Sequence, residues 1–292
     1  MRRRSNSISG RVAIVTGAAR GIGRATASAL LEQGCTVVVA DRDQVAAQGA
    51  VRELASLGAV HNMPLDVTDG AAFEALVQRV EDELGPVDVL VNNAGVMVVG
   101  DFDALDARAD HLQLDINVMG VIHGMRAVLP RMRRRGRGHV VNIASVAGRV
   151  GLPFASVYSA TKFAVVGLTE AIRREYQDTG VDFSYVCPSM VDTELISGAG
   201  RPRFPPVARP EDVAGAVIRA LKTRQVDLYV PRFTRISHIL PAILPRVAVE
   251  ALGRFFGVER IFSQTDPGAR SDYLGRTVRA VKAPPEDRPN RA

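Results

Sequence analysis

The chain has 292 residues, of which 47% are hydrophobic, so it can bury one large core without an obvious division into two domains. Its net charge of +6 comes from arginines that are dispersed apart from the stretch 131–137, and only 5% of its residues are aromatic. This pattern favours a solvated basic face over a nucleic-acid site. Cys35 and Cys187 each lie in or beside an apolar run, so we interpret them as reduced packing residues and expect neither a disulfide nor a metal site.

The N-terminal residues Met1–Arg4 are basic and are followed by polar residues, without an apolar segment behind them. A signal peptide is therefore not expected, and the sequence predicts a cytoplasmic protein. We expect residues 1–8 to form a flexible basic N-terminus.

The first predicted elements are a strand, a glycine-rich turn and a helix. An apolar, β-branched run, Val12–Thr16, is followed by Gly17, Gly21 and Gly23, and a helical pattern covers residues 24–33. Glycines in such a turn permit positive φ angles and let the backbone approach a ligand closely. Because the N-terminus of a helix attracts anions, this arrangement predicts a pyrophosphate site.

The second predicted strand, 36–40, ends at Asp41. A dinucleotide-binding fold places at this point the carboxylate that binds the adenosine ribose hydroxyls. The order strand, glycine turn, helix, strand and acid is more specific than the turn alone, and it predicts a dinucleotide site.

Strand-like runs and helical patterns alternate along the rest of the chain. Further strands are predicted at 60–66, 87–92, 139–144, 182–187 and 226–230. Further helices are predicted at 44–57, 70–84, 111–134, 156–179 and 210–223. Because parallel strands are joined by right-handed crossovers, this order predicts an α/β fold with an open, doubly wound sheet of seven parallel strands and ligands at their carboxyl ends.

Tyr158 and Lys162 stand four positions apart in a predicted helix, and such positions share a helix face. With only five tyrosines in the chain and three lysines, this spacing is not expected by chance. An ammonium close to a phenol favours the phenolate, which lets the tyrosine act as a general acid or base near neutral pH. The alternative is a helix tyrosine packed on the core beside a solvated lysine.

Two further polar side chains are candidates for the same site. Ser145 follows the predicted strand 139–144, so its hydroxyl should face the crevice that receives Tyr158. The alternative for Ser145 is a helix N-cap. Asn117 lies in an apolar helical run, where an amide needs hydrogen-bond partners, and its alternative is a core asparagine bonded to backbone.

Over about residues 9–230 the sequence resembles the short-chain dehydrogenases/reductases. The matching motifs, in family order and spacing, are Thr16-Gly17-x-x-x-Gly21-Ile22-Gly23, Asp66, Asn92-Asn93-Ala94-Gly95, Asn117, Ser145 and Tyr158-x-x-x-Lys162. The resemblance implies a Rossmann fold that binds NAD(H) or NADP(H). It also implies hydride transfer between the nicotinamide and a carbonyl or alcohol carbon.

The same resemblance implies roles for the four polar residues. Tyr158 would be the proton donor or acceptor, and Ser145 would hydrogen-bond the substrate oxygen. Lys162 would lower the pKa of the tyrosine and hold the nicotinamide ribose. Asn117 would position a water molecule in a proton relay.

The remaining cofactor contacts that the resemblance implies are Ile22, Asp66, Val67, Asn93, Ala94, Gly95, Pro188, Val191 and Thr193. Asp66 is alternatively a helix cap, and structural use of Asn92 and Asn93 is as plausible as contact with the cofactor. In the loop of Pro188 the family has a glycine where this chain has Ser189, so the backbone conformation there stays open.

The charged residues near the predicted ribose site favour different cofactors. Asp41 would accept hydrogen bonds from the ribose hydroxyls of NAD and repel the 2′-phosphate of NADP. Arg20 and Arg42 could pair with that phosphate, or they are surface cations. Because burying a carboxylate against a phosphate costs more than a flexible arginine recovers, we expect NAD in preference to NADP.

Substrate identity depends on two less regular segments. Residues 192–209 are rich in glycine and proline and are predicted to be a mobile lid. Residues 236–262 are apolar, but prolines and charges interrupt them, so they do not suit a membrane-spanning helix. They could add packing or a dimer surface, cover the substrate cavity, or contact a membrane peripherally. A cover would favour lipophilic alcohols or ketones.

The sequence therefore predicts an NAD(P)-dependent oxidoreductase acting on a secondary alcohol or ketone. Its expected parts are a catalytic domain at 9–232, a helical extension at 233–281 and a disordered tail at 282–292. An NADPH-dependent ketoacyl-type reductase and a non-catalytic dinucleotide-binding regulator are the alternatives; the complete Asn-Ser-Tyr-Lys set argues against the regulator. The resemblance also implies a homodimer or homotetramer.

Overall fold

The computed structural model describes residues 7–200 and 206–236 and, beyond them, 239, 243–245, 247–248, 251, 261–263, 265–266, 268–270, 273 and 275. Within these residues the chain forms a seven-stranded sheet in the order β3-β2-β1-β4-β5-β6-β7. All neighbouring strands pair in parallel, so the predicted doubly wound sheet is confirmed. The strands are β1 (Val12–Thr16), β2 (Thr36–Asp41), β3 (Val60–Pro64), β4 (Val87–Asn92), β5 (Gly138–Ile143), β6 (Val181–Pro188) and β7 (Asp227–Val230).

Helices cover both faces of this sheet, as the apolar character of its central strands requires. Alternate residues of one strand enter opposite cores: Ile14 belongs to one buried cluster and Val15 to the other. The α-helices of the described residues are α1 (Gly21–Glu32), α2 (Gln44–Leu54), α3 (Gly70–Leu84), α4 (Ala107–Leu114), α5 (Gly120–Arg135), α6 (Ser156–Glu175) and α7 (Pro210–Thr223).

Strands β1 and β4 lie side by side, and the chain runs outward from them in both directions. Crossovers that leave in opposite directions open a crevice at the carboxyl ends of such a strand pair. The loops after β1 and β4 therefore meet at one edge of the sheet, and the loop after β5 lies next to them.

Most element bounds agree with the sequence patterns to within a few residues, but the predicted helix 111–134 is wrong as one regular helix. It begins earlier, at Ala107, because the Asp106 carboxylate accepts the N–H of Arg108 and caps it. A π-helical segment, Asp115–Met119, then separates α4 from α5. A π turn adds one residue, so the spacing of buried apolar residues widens from four to five between Ile116 and Val121. A pattern that tolerates spacings of three to four with some scatter absorbs this single wider step into one helix.

The C-terminal part is described only at separate positions beyond a short 3₁₀ helix, Arg232–Arg235. The N-terminal residues 1–6, lid residues 201–205, tail residues 282–292 and most of the segment 236–262 lie outside the described residues. Among the residues that are described, no helix combines the length and apolar character needed to cross a membrane.

Candidate active site

A cavity of about 1410 Å³ lies at the carboxyl edge of the sheet. It extends from the glycine turn after β1 to apolar residues of the loops after β4 and β6 and of the C-terminal segment. A single small-molecule site usually measures about 300–1,000 Å³, so this cavity has room for a dinucleotide and a second ligand. Every predicted site residue lines the cavity except Gly23 and Asn117.

The glycine turn has the geometry of an anion cradle. Gly17 and Gly21 have φ angles of +63° and +53°, in the left-handed region that favours glycine. Helix α1 begins at Gly21 without a side-chain cap and without an acidic residue in its first turn. The turn thus leaves N–H groups for an anion, and a pyrophosphate fits there.

Gly23, in the first turn of α1, packs directly against the backbone of this glycine turn. A Cβ atom at Gly23 would lie 2.2 Å from the Gly17 carbonyl oxygen, and one at Gly17 would lie 2.9 Å from Ala94 Cα. Such distances are too short for a side chain, so the close packing of helix α1 on the turn requires glycine at position 23.

Asp41 and the two arginines occupy the rim of the turn. The Asp41 carboxylate accepts the N–H groups of Ala19 at 3.0 Å and Asp43 at 2.9 Å, which fixes its position. Arg20 forms a salt bridge of 2.6 Å with Asp43, with both side chains partly exposed. The Arg42 side chain is exposed at the edge of the cavity.

The two asparagines at the end of β4, Asn92 and Asn93, are used structurally. The Asn93 amide donates to the carbonyl oxygens of Thr16 at 2.8 Å and Gly17 at 3.1 Å, which ties this loop to the glycine turn. The Thr16 hydroxyl accepts the N–H groups of Asn93 and Ala94. Asn92 donates to Asn142 on β5 at 2.9 Å. The cavity wall after β4 is therefore held by side chains of the neighbouring strands.

Asp66 also binds its own loop. Its carboxylate accepts the N–H and the hydroxyl of Thr68 at 3.0 and 2.8 Å. Helix α3 is capped by Asp69, which accepts the N–H groups of Ala71 and Ala72. The alternative that Asp66 caps this helix is therefore wrong, and Asp66 and Val67 line the cavity.

Tyr158 and Lys162 lie on one face of α6, and both are buried, with 7% and 5% of their surfaces exposed. The Lys162 ammonium donates to the Ile143 carbonyl oxygen at 2.9 Å and lies 5.6 Å from the centre of the Tyr158 ring. The alternative of a solvated lysine is therefore wrong. The Ser145 hydroxyl donates to the Pro188 carbonyl oxygen at 3.4 Å and lies close enough to Tyr158 to affect its pKa. It also accepts the Ala147 N–H at 3.1 Å, so Ser145 caps a short 3₁₀ helix as well.

The electrostatics of this group differ from the sequence expectation. Burial raises the pKa of the Tyr158 phenol, and the nearby Ser145 hydroxyl opposes this rise only in part. Burial also lowers the pKa of Lys162 to about 8. The predicted lowering of the tyrosine pKa by Lys162 is therefore wrong, because the argument from charge alone left out the desolvation of the phenolate.

Asn117 lies in the π-helical segment and is 1% exposed. Its amide oxygen accepts the Val96 N–H at 2.8 Å, and its amide nitrogen donates to the Val96 carbonyl at 2.9 Å and to the Thr161 hydroxyl at 3.1 Å. A Cβ atom at Gly95 would lie 3.2 Å from the Asn117 oxygen. The side chain therefore holds the loop after β4 against α6, which is the alternative that the sequence left open.

The structure defines the backbone conformation at Ser189, in the loop after β6, which the sequence left open. Ser189 has a negative φ angle, and its N–H donates to the Val230 carbonyl at 2.8 Å, so this position does not require glycine. Val191 pairs with Ala208, and the Thr193 hydroxyl donates to the Val191 carbonyl at 3.3 Å. Pro188, Val191 and Thr193 all line the cavity opposite the glycine turn.

Residues 11–202 match the family model for short chain dehydrogenases. The chain belongs to the short-chain dehydrogenase/reductase family. Among curated members it is similar to the ketoacyl reductase HetN of Nostoc sp., with 34% identity over 86% of this chain and 91% of the relative. It is also similar to the rat 17-beta-hydroxysteroid dehydrogenase 13, with 30% identity over 88% of this chain and 86% of the relative.

Solved structures of the family have the same fold. A short-chain dehydrogenase/reductase from Burkholderia phymatum in complex with NAD has a TM-score of 0.73 and 30% identity, covering 81% of this chain and 96% of that one. A gluconate 5-dehydrogenase from Burkholderia cenocepacia in complex with NADP and tartrate has a TM-score of 0.69 and 28% identity, covering 77% and 94%. This short-chain dehydrogenase/reductase is an NAD(P)-dependent oxidoreductase.

The structure of this family member adds site residues that the sequence did not indicate. Tyr273, from the C-terminal segment, lines the cavity, and its hydroxyl oxygen accepts the Met97 N–H at 2.8 Å. Arg270 is 2% exposed and lies behind it. No local motif surrounds these residues, and only the apolar character of the C-terminal extension suggested that it could cover the cavity.

Proposed function

We propose that the protein transfers a hydride between a nicotinamide cofactor and a lipophilic secondary alcohol or ketone, with Tyr158 as the general acid or base. The observation that carries this proposal is that the side chains of Tyr158 and Ser145 line the cavity close to each other, at the point where the glycine-turn groove meets the apolar end. Two hydroxyl groups there can converge on one substrate oxygen.

The bound nicotinamide supplies the hydride donor or acceptor. In carbonyl reduction Tyr158 donates its proton to the substrate oxygen, and in alcohol oxidation it receives that proton. Ser145 stabilises charge on the same oxygen, a contribution typically worth about 3 kcal/mol.

Five further residues would support this chemistry. Lys162 would hold the nicotinamide ribose and place positive charge beside the phenol. Asn117 would position a proton-relay water while its side chain fixes the loop of Val96. Pro188, Val191 and Thr193 would hold the nicotinamide carboxamide.

At the adenosine end we propose that the cofactor is NAD. Gly17, Gly21, Ile22 and Gly23 would form the pyrophosphate turn, with Asp66, Val67, Asn93, Ala94 and Gly95 along the groove. The Asp41 carboxylate is held at the rim by two backbone N–H groups, so it cannot easily move away from a 2′-phosphate. The salt bridge to Asp43 engages Arg20, which leaves the exposed Arg42 as the side chain that favours NADP.

The apolar end of the cavity supports a lipophilic substrate. Tyr158 packs there with Met97, Ile261 and Phe262, and partly buried Leu152 and Leu195 extend the same cluster. The similarity to a ketoacyl reductase keeps reduction of a 3-ketoacyl thioester with NADPH as a second candidate.

One screen tests these proposals together. Oxidation of secondary alcohols of graded chain length and ring size is measured with NAD and with NADP, and reduction of a 3-ketoacyl thioester is measured with NADH and NADPH. We expect kcat/KM to rise with apolar size and to be at least tenfold higher with NAD. A tenfold preference for NADP with the thioester supports the ketoacyl alternative, and absence of turnover with every compound supports a non-catalytic regulator.

We also propose a homodimer or homotetramer. Leu114, Met119 and Phe163 are 43%, 37% and 46% exposed on the helices that flank the site, which supports an apolar contact between copies. Light scattering after gel filtration tests this proposal, and a monomer at micromolar concentration would contradict it.

A cytoplasmic location with peripheral membrane contact is a further proposal. It is supported by the exposed side chains of Ile236, Ile243 and Val247, with Arg232 and Arg235 close by in sequence. Co-sedimentation with phosphatidylglycerol vesicles tests it, and equal recovery in the supernatant with and without vesicles would contradict it.

A further inference from the structure

The apolar end of the cavity is closed by side chains that come from the end of the chain. Ile261 and Phe262 are 8% and 6% exposed and share one buried cluster with Tyr158. Tyr273 is 9% exposed and lines the same cavity. We refer to Ile261, Phe262, Asp266, Arg270 and Tyr273 as the C-terminal wall.

Backbone hydrogen bonds join the C-terminal wall to the loop after β6. The Gly200 N–H donates to the Ile261 carbonyl at 2.8 Å, and the Asp266 N–H donates to the Gly198 carbonyl at 3.0 Å. Gly198 has a φ angle of +71°, and a Cβ atom there would lie 2.6 Å from the Asp266 carbonyl oxygen. The two segments therefore approach as closely as a glycine allows, and the wall is fixed to the loop.

Arg270 connects this wall to two other segments. Its guanidinium donates to the carbonyl oxygens of Met97 at 2.8 Å, Leu195 at 3.2 Å and Ser197 at 3.3 Å. The side chain is 2% exposed, and burying a guanidinium is costly unless its hydrogen bonds are made. Arg270 therefore holds the loops after β4 and β6 and the C-terminal segment in one arrangement.

The ring of Tyr273 is held at two points. Its hydroxyl oxygen accepts the Met97 N–H at 2.8 Å, and the Arg270 guanidinium carbon lies 5.1 Å from the ring centre. These two contacts fix the position of the Tyr273 ring in the wall of the cavity that Tyr158 also lines.

We propose that Tyr273 is a specificity-determining residue that limits the size of the substrate, and that Arg270 is the positioning residue that holds its ring. This proposal rests on the proposed function, because it assigns the apolar end of the cavity to the substrate. The ring then bounds the space available to the substituent that the substrate carries beyond its reacting carbon.

The experiment measures kcat and KM for the alcohol series in the wild type and in Tyr273→Ala and Arg270→Met, with dinucleotide affinity measured in parallel. We expect the ratio of kcat/KM for the largest alcohol to that for the smallest to change at least tenfold in both variants. The dinucleotide Kd should stay within twofold, because neither residue contacts the glycine turn. Arg133→Met is the matched control, because Arg133 lies 5.7 Å from the Tyr176 ring centre in an arginine–tyrosine pair away from the cavity.

A hydrogen-exchange measurement gives a second readout that needs no turnover. The Met97 amide should be protected in the wild type and should exchange at least tenfold faster in Tyr273→Phe and Arg270→Lys, with no change in Arg133→Met. These milder variants also keep the test valid if the larger truncations do not fold.

The outcomes separate the two proposals. Absence of wild-type turnover on the whole alcohol series overturns the proposed function, whereas the exchange of Met97 still tests the wall. A wild type that turns over these alcohols, with a size ratio unchanged within twofold in Tyr273→Ala, overturns the role of Tyr273. Fast exchange of Met97 in the wild type, or exchange in Arg270→Lys within twofold of the wild type, overturns the positioning role of Arg270.

Discussion

The cavity has two ends that are built in different ways: the end at the glycine turn, which we propose binds the dinucleotide, and the apolar end beside Met97 and Tyr273, which we propose binds the substrate. We refer to them as the dinucleotide end and the substrate end. The dinucleotide end consists of loops that directly follow β1, β2, β3 and β4, and its hydrogen bonds mostly join a side chain to the backbone of the same loop or of the loop after a neighbouring strand. The substrate end joins Met97, Leu195 and Tyr273, which are far apart in sequence. The difference shows why one end carries recognisable motifs and the other does not.

At the dinucleotide end the backbone itself would bind the cofactor, so the geometry there tolerates few residue types. The Gly17 and Gly21 φ angles and the contact behind Gly23 each exclude a side chain. At the substrate end side chains form the surface, and many apolar residues can fill such a surface equally well. We therefore expect a small substitution at the dinucleotide end to abolish cofactor binding. A substitution at the substrate end should instead change substrate specificity.

The largest expected effect is the loss of dinucleotide binding in the variant Gly23→Ala. The added Cβ atom would lie 2.2 Å from the Gly17 carbonyl oxygen, so helix α1 must move away from the turn. We expect loss of detectable dinucleotide binding in a fluorescence titration and a lower Tm. Binding within threefold of the wild type would contradict this account of the turn.

Gly49→Ala is the matched control for that change. Gly49 lies inside α2 with no atom within 4 Å of an added Cβ. Alanine in a helix interior should stabilise the protein by about 0.5–1 kcal/mol and leave dinucleotide binding unchanged.

Lys162 lies where the two ends meet, and its burial predicts a pH effect. Burial lowers its pKa from 10.5 to about 8 in the folded protein. The unfolded chain therefore binds more protons between these values, so this group makes stability rise as pH increases from about 8 towards 10. The Lys162→Met variant lacks this term. We expect the free energy of unfolding of the wild type, relative to that of the variant, to increase by about 2–3 kcal/mol over this range.

Urea denaturation of both proteins at pH 7.5, 8.5 and 9.5 measures this difference. The comparison with the variant removes other groups that titrate in the same range, such as Cys35, whose pKa burial raises to about 11. A difference that falls as the pH increases would show that Lys162 is not buried as described.

The sequence predicted the fold well because its signal is local. Apolar β-branched runs and helical patterns placed all seven strands to within a few residues, and the motifs pointed to loops that the structure brings together. It could not predict the π-helical segment around Asn117, because side-chain patterns do not record backbone hydrogen bonds.

Two further features of the site could not be predicted from the sequence, for physical reasons. The direction of the Tyr158 pKa shift depends on desolvation, which requires the burial of the ring to be known. The contact between Met97 and Tyr273 depends on the path of the C-terminal segment, and no periodicity links those two positions.

The central claim is that the Tyr158 phenol moves the proton at the junction of the two ends, and Tyr158→Phe tests it most directly. The variant keeps the ring that packs beside Met97 and Phe262 and removes only the hydroxyl. We expect kcat to fall by about a thousandfold or more in both directions, with the dinucleotide Kd within twofold of the wild type. Turnover within tenfold of the wild type, at unchanged dinucleotide affinity, would contradict the assignment of Tyr158 as the proton donor and acceptor.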